Sequence, residues 1–312
     1  MIEQFKNEFH LMLREQIGYY TWLKNYSYHM ERLVYGKRDC PCYHDRNDHK
    51  FIREILKDQV CDNKLIDLLF KSLIRSEIRF VHRFIPQRSH EERLTGNLVS
   101  EMSNSIELIK DLFKVASIEE YGVEKQIDFF YFDMSKGGKL ESYTGADLAL
   151  GFYIDLPDYP KTYKSFVFQA TKLNSSSQLD LKQYQTLTNN FSDNSAYLFY
   201  DTDFKTLNCP FVLTTNDYNL KNNSEEAIKN HTKSFSISKS NVYNGLPLSS
   251  FIIFSLLENV EKGQPHHSLH SLIDFFKNSN RDIEFNGRLA IFSIGNPLNY
   301  SINDDGGIQF NE

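Results

Sequence analysis

What most constrains this chain is a run of strand-like segments that gives way to a helix and then returns to strand. "KQIDFFYFDM", "ADLALGFYIDL" and "KSFVFQATKL" are rich in aromatic and β-branched residues and are separated by Gly- or Pro-containing turns. "SQLDLKQYQTLTNNF" then sets Leu181, Tyr184 and Leu187 at helical spacing, and "SAYLFYD" is again a strand. A further helix precedes the series. The order helix, three strands, helix, strand predicts an α/β core over residues 89–203.

Around that core the pattern changes. Residues 1–88 read as a helical N-terminal region, because "FKNEFHLMLREQIGYYTWL", "NDHKFIREILKDQV" and "NKLIDLLFKSLIRSEIRFVHRFI" repeat apolar residues three and four apart. The Pro in "IPQRSHEE" breaks this pattern, and Ser89 with Glu92 predicts a capping box opening a helix that runs to about Lys114. Residues 204–312, with "PFVLTT", "LSSFIIFSLLENVEKG" and "SLHSLIDFFKN", form a C-terminal α/β extension packed on the core. The Asn/Ser-rich stretch Asn216–Asn230 is expected to be a mobile loop.

Composition excludes several classes. With 312 residues, 40% of them hydrophobic, the chain can bury a substantial core in one large or two ordinary domains. No window approaches the ~18 uninterrupted apolar residues of a membrane span, and the charged N-terminus lacks the apolar stretch of a secretory signal. No membrane association and a cytoplasmic location are therefore expected. Cys40, Cys42, Cys61 and Cys209 form no regular framework, so disulfides are not expected. A net charge of -6 argues against indiscriminate coating of nucleic acid. No phosphate-binding G-x-x-x-x-G-K-[ST] loop exists, and no G-x-G-x-x-G follows a strand.

Three side chains at strand ends carry chemistry. Asp147 follows a Gly-Ala step at the start of one strand, and Gln169 and Lys172 lie near the end of the next. Phosphodiester hydrolysis needs a carboxylate to hold a divalent cation, a second oxygen donor to fix its position, and a lysine to stabilise developing charge or orient water.

With "HEERLTGNLVSEM", "GAD", "FQATK", "KQYQ" and "SAYLFY" in this succession, the stretch from Ser89 to Asp201 resembles the PD-(D/E)XK nuclease superfamily, the restriction-endonuclease-like fold, in its glutamine variant. The resemblance implies a Mg²⁺- or Mn²⁺-dependent endonuclease acting on DNA in bacterial defence against phage or other foreign DNA. By it, Asp147 is the metal-binding aspartate, Gln169 stands at the usually acidic position, Lys172 is the catalytic lysine, and the carbonyl of Ala170 joins the metal ligands. The superfamily commonly adds an acid from the first helix. Glu91 falls within the stripe of Leu94, Leu98, Met102 and Ile109, so it is the inward-facing candidate. Gln183, on the following helix, is the amide expected near the site. A homodimer would let two sites address both strands, and a partner protein in a defence complex is a further expectation.

The spacing departs from the superfamily's pattern. Gln169 and Lys172 are three apart, so a regular strand would point them to opposite faces. A β-bulge near Ala170 and Thr171 is the expected remedy; otherwise Lys172 lies past the strand end, or the protein keeps the fold as an inactive binder of nucleic acid or of a partner. Outside the core, Lys71, Arg75, Arg79, His82 and Arg83 share a helical face, where Arg75, Arg79 and Arg83 could follow a phosphate backbone or simply be solvated. Cys40, Cys42, His44 and His49 are zinc-type residues at a spacing that matches no common finger, and His266, His267 and His270 form a second tempting group.

Overall fold

The structure is a computed structural model that describes residues 59, 61–87, 89–133, 145–202, 209–257, 259, 261–277, 287–298, 300–302 and 308–310. The helical segments expected before residue 59, and the zinc-type residues Cys40, Cys42, His44 and His49, lie outside the described residues.

Two long helices come first, α1 (Lys64–Phe84) and α2 (Glu91–Tyr121). Asn63 caps α1 by accepting from the amides of Leu65 at 2.9 Å and Ile66 at 3.2 Å. The capping box expected at Ser89 and Glu92 does not form: the N-cap of α2 is His90, with no side-chain cap bond, and Glu91 is the first helical residue. At the other end α2 continues seven residues beyond Lys114 to Tyr121, where Gly122 closes it at φ 70° and donates to the Ile118 carbonyl. Only glycine adopts that left-handed conformation without steric cost.

The strands follow: β1 (Gln126–Asp133), β2 (Leu148–Ile154), β3 (Thr162–Leu173), the short β4 (Ser176–Asp180) and, after helix α3 (Leu181–Phe191), β5 (Ser195–Asp201). The mixed α/β class is thus observed, with β4 as one strand more than the sequence suggested. The boundary drawn at residue 203 does not divide the sheet. Its order is β1-β10-β2-β3-β5-β6-β8, and β6 (Phe211–Thr214), β8 (Leu246–Pro247) and β10 (Arg288–Gly295) all come from the later stretch. Strand β10 lies between β1 and β2, antiparallel to the first and parallel to the second. Local patterns cannot reveal such an insertion, because the partners are far apart in sequence.

Every residue of β2 and β5 is buried, which requires cover on both faces of the sheet. Tyr200 on β5 hydrogen bonds Thr95 of α2 at 2.9 Å and packs its ring on Phe80 of α1, which defines one face. Tyr197 of β5 stacks on Tyr184 of α3, and Gly151 of β2 lies beneath Leu272 of helix α7 (Leu269–Lys277), which define the other. Each large side chain enclosed between these layers contributes about 1.5–3 kcal/mol.

The Asn/Ser-rich stretch forms helix α4 (Tyr218–Lys229), not a loop. Asp217 caps it by accepting from Asn219 and Leu220, and Leu220, Ser224 and Ala227 bury one face at i, i+4 and i+7. Burial of that stripe overrides the polar composition. Strand β7 (Ser234–Ser238), followed by the short helix α5 (Lys239–Val242), pairs with β4 in a small second sheet, and strand β9 (Gln264–His266) pairs with the start of β3. Cys61 and Cys209 are buried. Among the described residues, no helix is long and apolar enough to cross a membrane.

Candidate active site

The site begins with an edge. β2 pairs with β3 only from Thr162 to Phe168, whereas β5 pairs along the other side of β3 as far as Leu173. Past Phe168, β3 therefore offers amides and carbonyls on one side with no strand among the described residues to receive them, and two carboxylates dock there instead. Asp147 Oδ2 accepts from the Ala170 amide at 3.0 Å, and Glu91 Oε1 accepts from the Lys172 amide at 2.9 Å. Amides two residues apart on a strand point the same way, so the two acids dock side by side along the open edge.

Each acid is positioned by its local sequence. Asp147 directly precedes β2, and Gly145, at φ 67°, sets the turn before it. A Cβ at Gly145 would come within 2.9 Å of the Gln183 carbonyl, so glycine is required by both conformation and space. The backbone carbonyl and Cγ of Gln183 thus lie against the turn that carries Asp147, while its amide makes no hydrogen bond to Asp147, Glu91, Gln169 or Lys172 among the described residues. Glu91 is the first residue of α2, and the positive end of that helix favours a carboxylate there. It is half-buried while Glu92 is exposed, in keeping with the inward direction read from the stripe.

Gln169 joins the pair. Its Nε2 donates to Asp147 Oδ2 at 2.6 Å and to the Ala170 carbonyl at 3.1 Å, while its Oε1 is buried with no partner among the described residues. An orphaned buried amide oxygen is costly unless something else meets it. Burial pushes the Asp147 carboxyl up to about 7; the Ala170 amide opposes this, the negative charges of Glu91 and Glu92 add to it, and Arg288 opposes it. Arg288 was not anticipated, because it lies on β10, far along the chain, and its amide donates to the Asp147 carbonyl at 2.9 Å.

Lys172 corrects the sequence expectation. Residues Val167 to Leu173 pair one for one with Ser195 to Asp201, so β3 carries no bulge at Ala170 and Thr171. The continuous pairing with β5 holds the strand regular there, and alternation then sends Gln169 and Lys172 to opposite faces. Gln169 pairs with Tyr197, on the α3 face, and Lys172 with Tyr200, on the α2 face. The half-buried Lys172 thus shares its face with Glu91, and its ammonium makes no ion pair among the described residues.

Can these residues hold a hard divalent cation? Asp147 Oδ1 and Glu91 Oε2 accept no hydrogen bond among the described residues, Gln169 Oε1 is orphaned, and the Ala170 carbonyl is close by. An all-oxygen donor set of this kind is the chemistry Mg²⁺ and Mn²⁺ prefer. The Gln169 amide would have to turn over to present its oxygen. No group of three or more His, Cys, Asp or Glu among the described residues could hold a metal, so any such site depends on the amide and the carbonyl.

The other candidates do not converge. Arg79 and Arg83 pair with the buried Glu101 at 2.7 and 3.1 Å, and Lys71 pairs with Asp67 at 2.6 Å, so much of the basic stripe on α1 is neutralised; Arg75 lies on the same helix. His266 hydrogen bonds Ser165 at 2.8 Å and His270 pairs with Asp274 at 3.0 Å, so these histidines serve different partners. In comparisons with known proteins, the chain matches no family model, no curated protein and no solved structure.

Proposed function

We propose that the protein is a metal-dependent nuclease that hydrolyses DNA phosphodiester bonds at the open edge of β3. The observation that carries this reading is the docking of two carboxylates from separate elements, Asp147 and Glu91, on amides two residues apart. Burying like charges together is unfavourable unless a cation compensates them, and such arrangements mark functional sites.

Asp147, Glu91, Gln169 and the Ala170 carbonyl would hold Mg²⁺ or Mn²⁺, which supplies Lewis-acid polarisation of phosphate and a more acidic bound water. The chain's own residues fix the geometry. The open edge locks both acids in place, Gly145 sets the turn that delivers Asp147, and Lys172, on the Glu91 side, offers an ammonium to the phosphate. A role in defence against foreign DNA, action in the cytoplasm, assembly as a homodimer and a partner protein follow from the resemblance as parts of the same proposal.

A second reading rests on a specific observation. Gln169 and Lys172 face opposite sides of β3, and the Gln169 amide nitrogen points between the two oxygens a cation would need. A protein of this fold that binds nucleic acid or a partner without cutting would keep such an arrangement. Incubating plasmid DNA, and RNA in parallel, with purified protein in Mg²⁺ or Mn²⁺ separates the readings. Cleavage of DNA that disappears in Asp147→Asn and Glu91→Gln supports the nuclease; binding without cleavage under every condition supports the alternative.

A further inference from the structure

Arg288 is a polar side chain that the proposed chemistry has not yet used. It opens β10 opposite Leu148 of β2, and Leu148 is in turn opposite Phe168 of β3. Paired residues share a face, so Arg288, Leu148, Phe168, Ala170 and Lys172 all lie on the α2 side of the sheet. Gly96 of α2 sits directly above. A Cβ there would stand 3.4 Å from Arg288 Nε and 3.7 Å from Cζ and Nη2. These are ordinary van der Waals distances, so the first turns of α2 pass close over the guanidinium without glycine being required there.

The guanidinium is short of partners. Its Nε is buried without a hydrogen bond, its resolved contact is with the Tyr131 hydroxyl, and it forms no ion pair with a carboxylate among the described residues. Asp133 of β1 lies directly opposite it in register, and Asp147 is near enough for the guanidinium to favour its ionisation, with Glu91 and Glu92 acting on the same carboxyl. A permanently charged, planar donor held beside carboxylates, yet bonded to none of them, suits an oxyanion brought in from outside.

We propose that Arg288 is a phosphate-binding residue that receives an oxyanion on the α2 face of the site, beside Asp147. Under the nuclease reading, on which this role partly rests, the anion is a backbone phosphate of the substrate, and Arg288 and Lys172 approach it from the same face. The anion site itself requires no cleavage.

Binding of inorganic phosphate, followed by ³¹P NMR titration, tests the site apart from the reaction, and cleavage of a DNA duplex in Mg²⁺ is measured alongside. Arg288→Gln should weaken phosphate binding about tenfold or more, and Arg288→Lys, which keeps the charge and loses the fork, should fall between. Asp147→Asn removes a repelling charge and should bind phosphate more tightly than the parent; adding Arg288→Gln to it should cancel the gain. Circular dichroism of each variant establishes that the fold is intact. Phosphate affinity unchanged in Arg288→Gln, or no phosphate binding by either the parent or Asp147→Asn, overturns the proposal whatever the DNA result. Binding that depends on Arg288 in a protein that cuts no DNA would uphold the anion site and remove the nuclease reading.

Discussion

Among the described residues, burial raises the carboxyls of Glu77 and Asp147, and their surroundings could hardly differ more. Glu77, in the middle of α1, accepts from the Ser249 amide at 2.8 Å and the Ser249 hydroxyl at 2.7 Å. It thereby caps the start of the short helix α6 (Leu248–Ser250), which runs on into the π-helical turn Phe251–Leu257. Burial pushes its carboxyl up to about 8, with hydrogen bonds from Ser249 and Leu248 opposing, and no neighbouring charge contributes to that shift. Asp147 is also raised by burial, but Glu91 and Glu92 push it further and Arg288 pulls it back. One acid has all it needs from its neighbours and stitches two elements together. The other is crowded by like charges beside an orphaned amide oxygen, an arrangement that a cation would complete.

The largest expected difference between them is in activity. Asp147→Asn should reduce DNA cleavage by about 10³-fold or more, since loss of a metal ligand removes several kcal/mol of transition-state stabilisation, while leaving the melting temperature unchanged or higher. Glu77→Ala should do the reverse. It leaves the Ser249 amide and hydroxyl buried without a partner, at a cost on the order of 3 kcal/mol by urea unfolding, with cleavage per folded molecule retained. An equal loss of activity in both variants would erase the distinction.

A smaller effect concerns pH. Because the folded state holds the Glu77 proton up to about pH 8, whereas an ordinary glutamate releases it near 4.3, this group favours folding fully below that lower value. Its contribution then falls as pH rises through the window between the two, by at most about 1.4 kcal/mol per pH unit. Glu77→Gln should flatten that part of the stability profile, and denaturation between pH 5 and 8 would show it. The smallest effect belongs to Gln169→Glu, which places a carboxylate against Asp147. It should lower stability by about 1 kcal/mol in chelator and increase the protection that Mg²⁺ gives; a variant indifferent to Mg²⁺ would count against the cation site.

Much of the scaffold could be read from the sequence because it is local. The apolar spacing of α1 and α3, the β-rich runs of β1, β2, β3 and β5, and the inward direction of Glu91 all depend on neighbours within a few residues. Asp147 and Gln169 were singled out for their strand-end positions, and they do meet. What escaped depends on distant pairing. The insertion of β10 brings Arg288 to Asp147, and the unbroken β3–β5 ladder prevents the bulge that would have placed Lys172 beside Gln169. Helix α4 escaped for another reason, since its polar composition hid three buried positions one and two turns apart.

Isothermal titration of the protein with Mn²⁺ tests the central distinction most directly. The account predicts a binding site that is lost in Asp147→Asn and in Glu91→Gln and kept in Glu77→Gln. Mn²⁺ affinity in Asp147→Asn equal to that of the unaltered protein would contradict it.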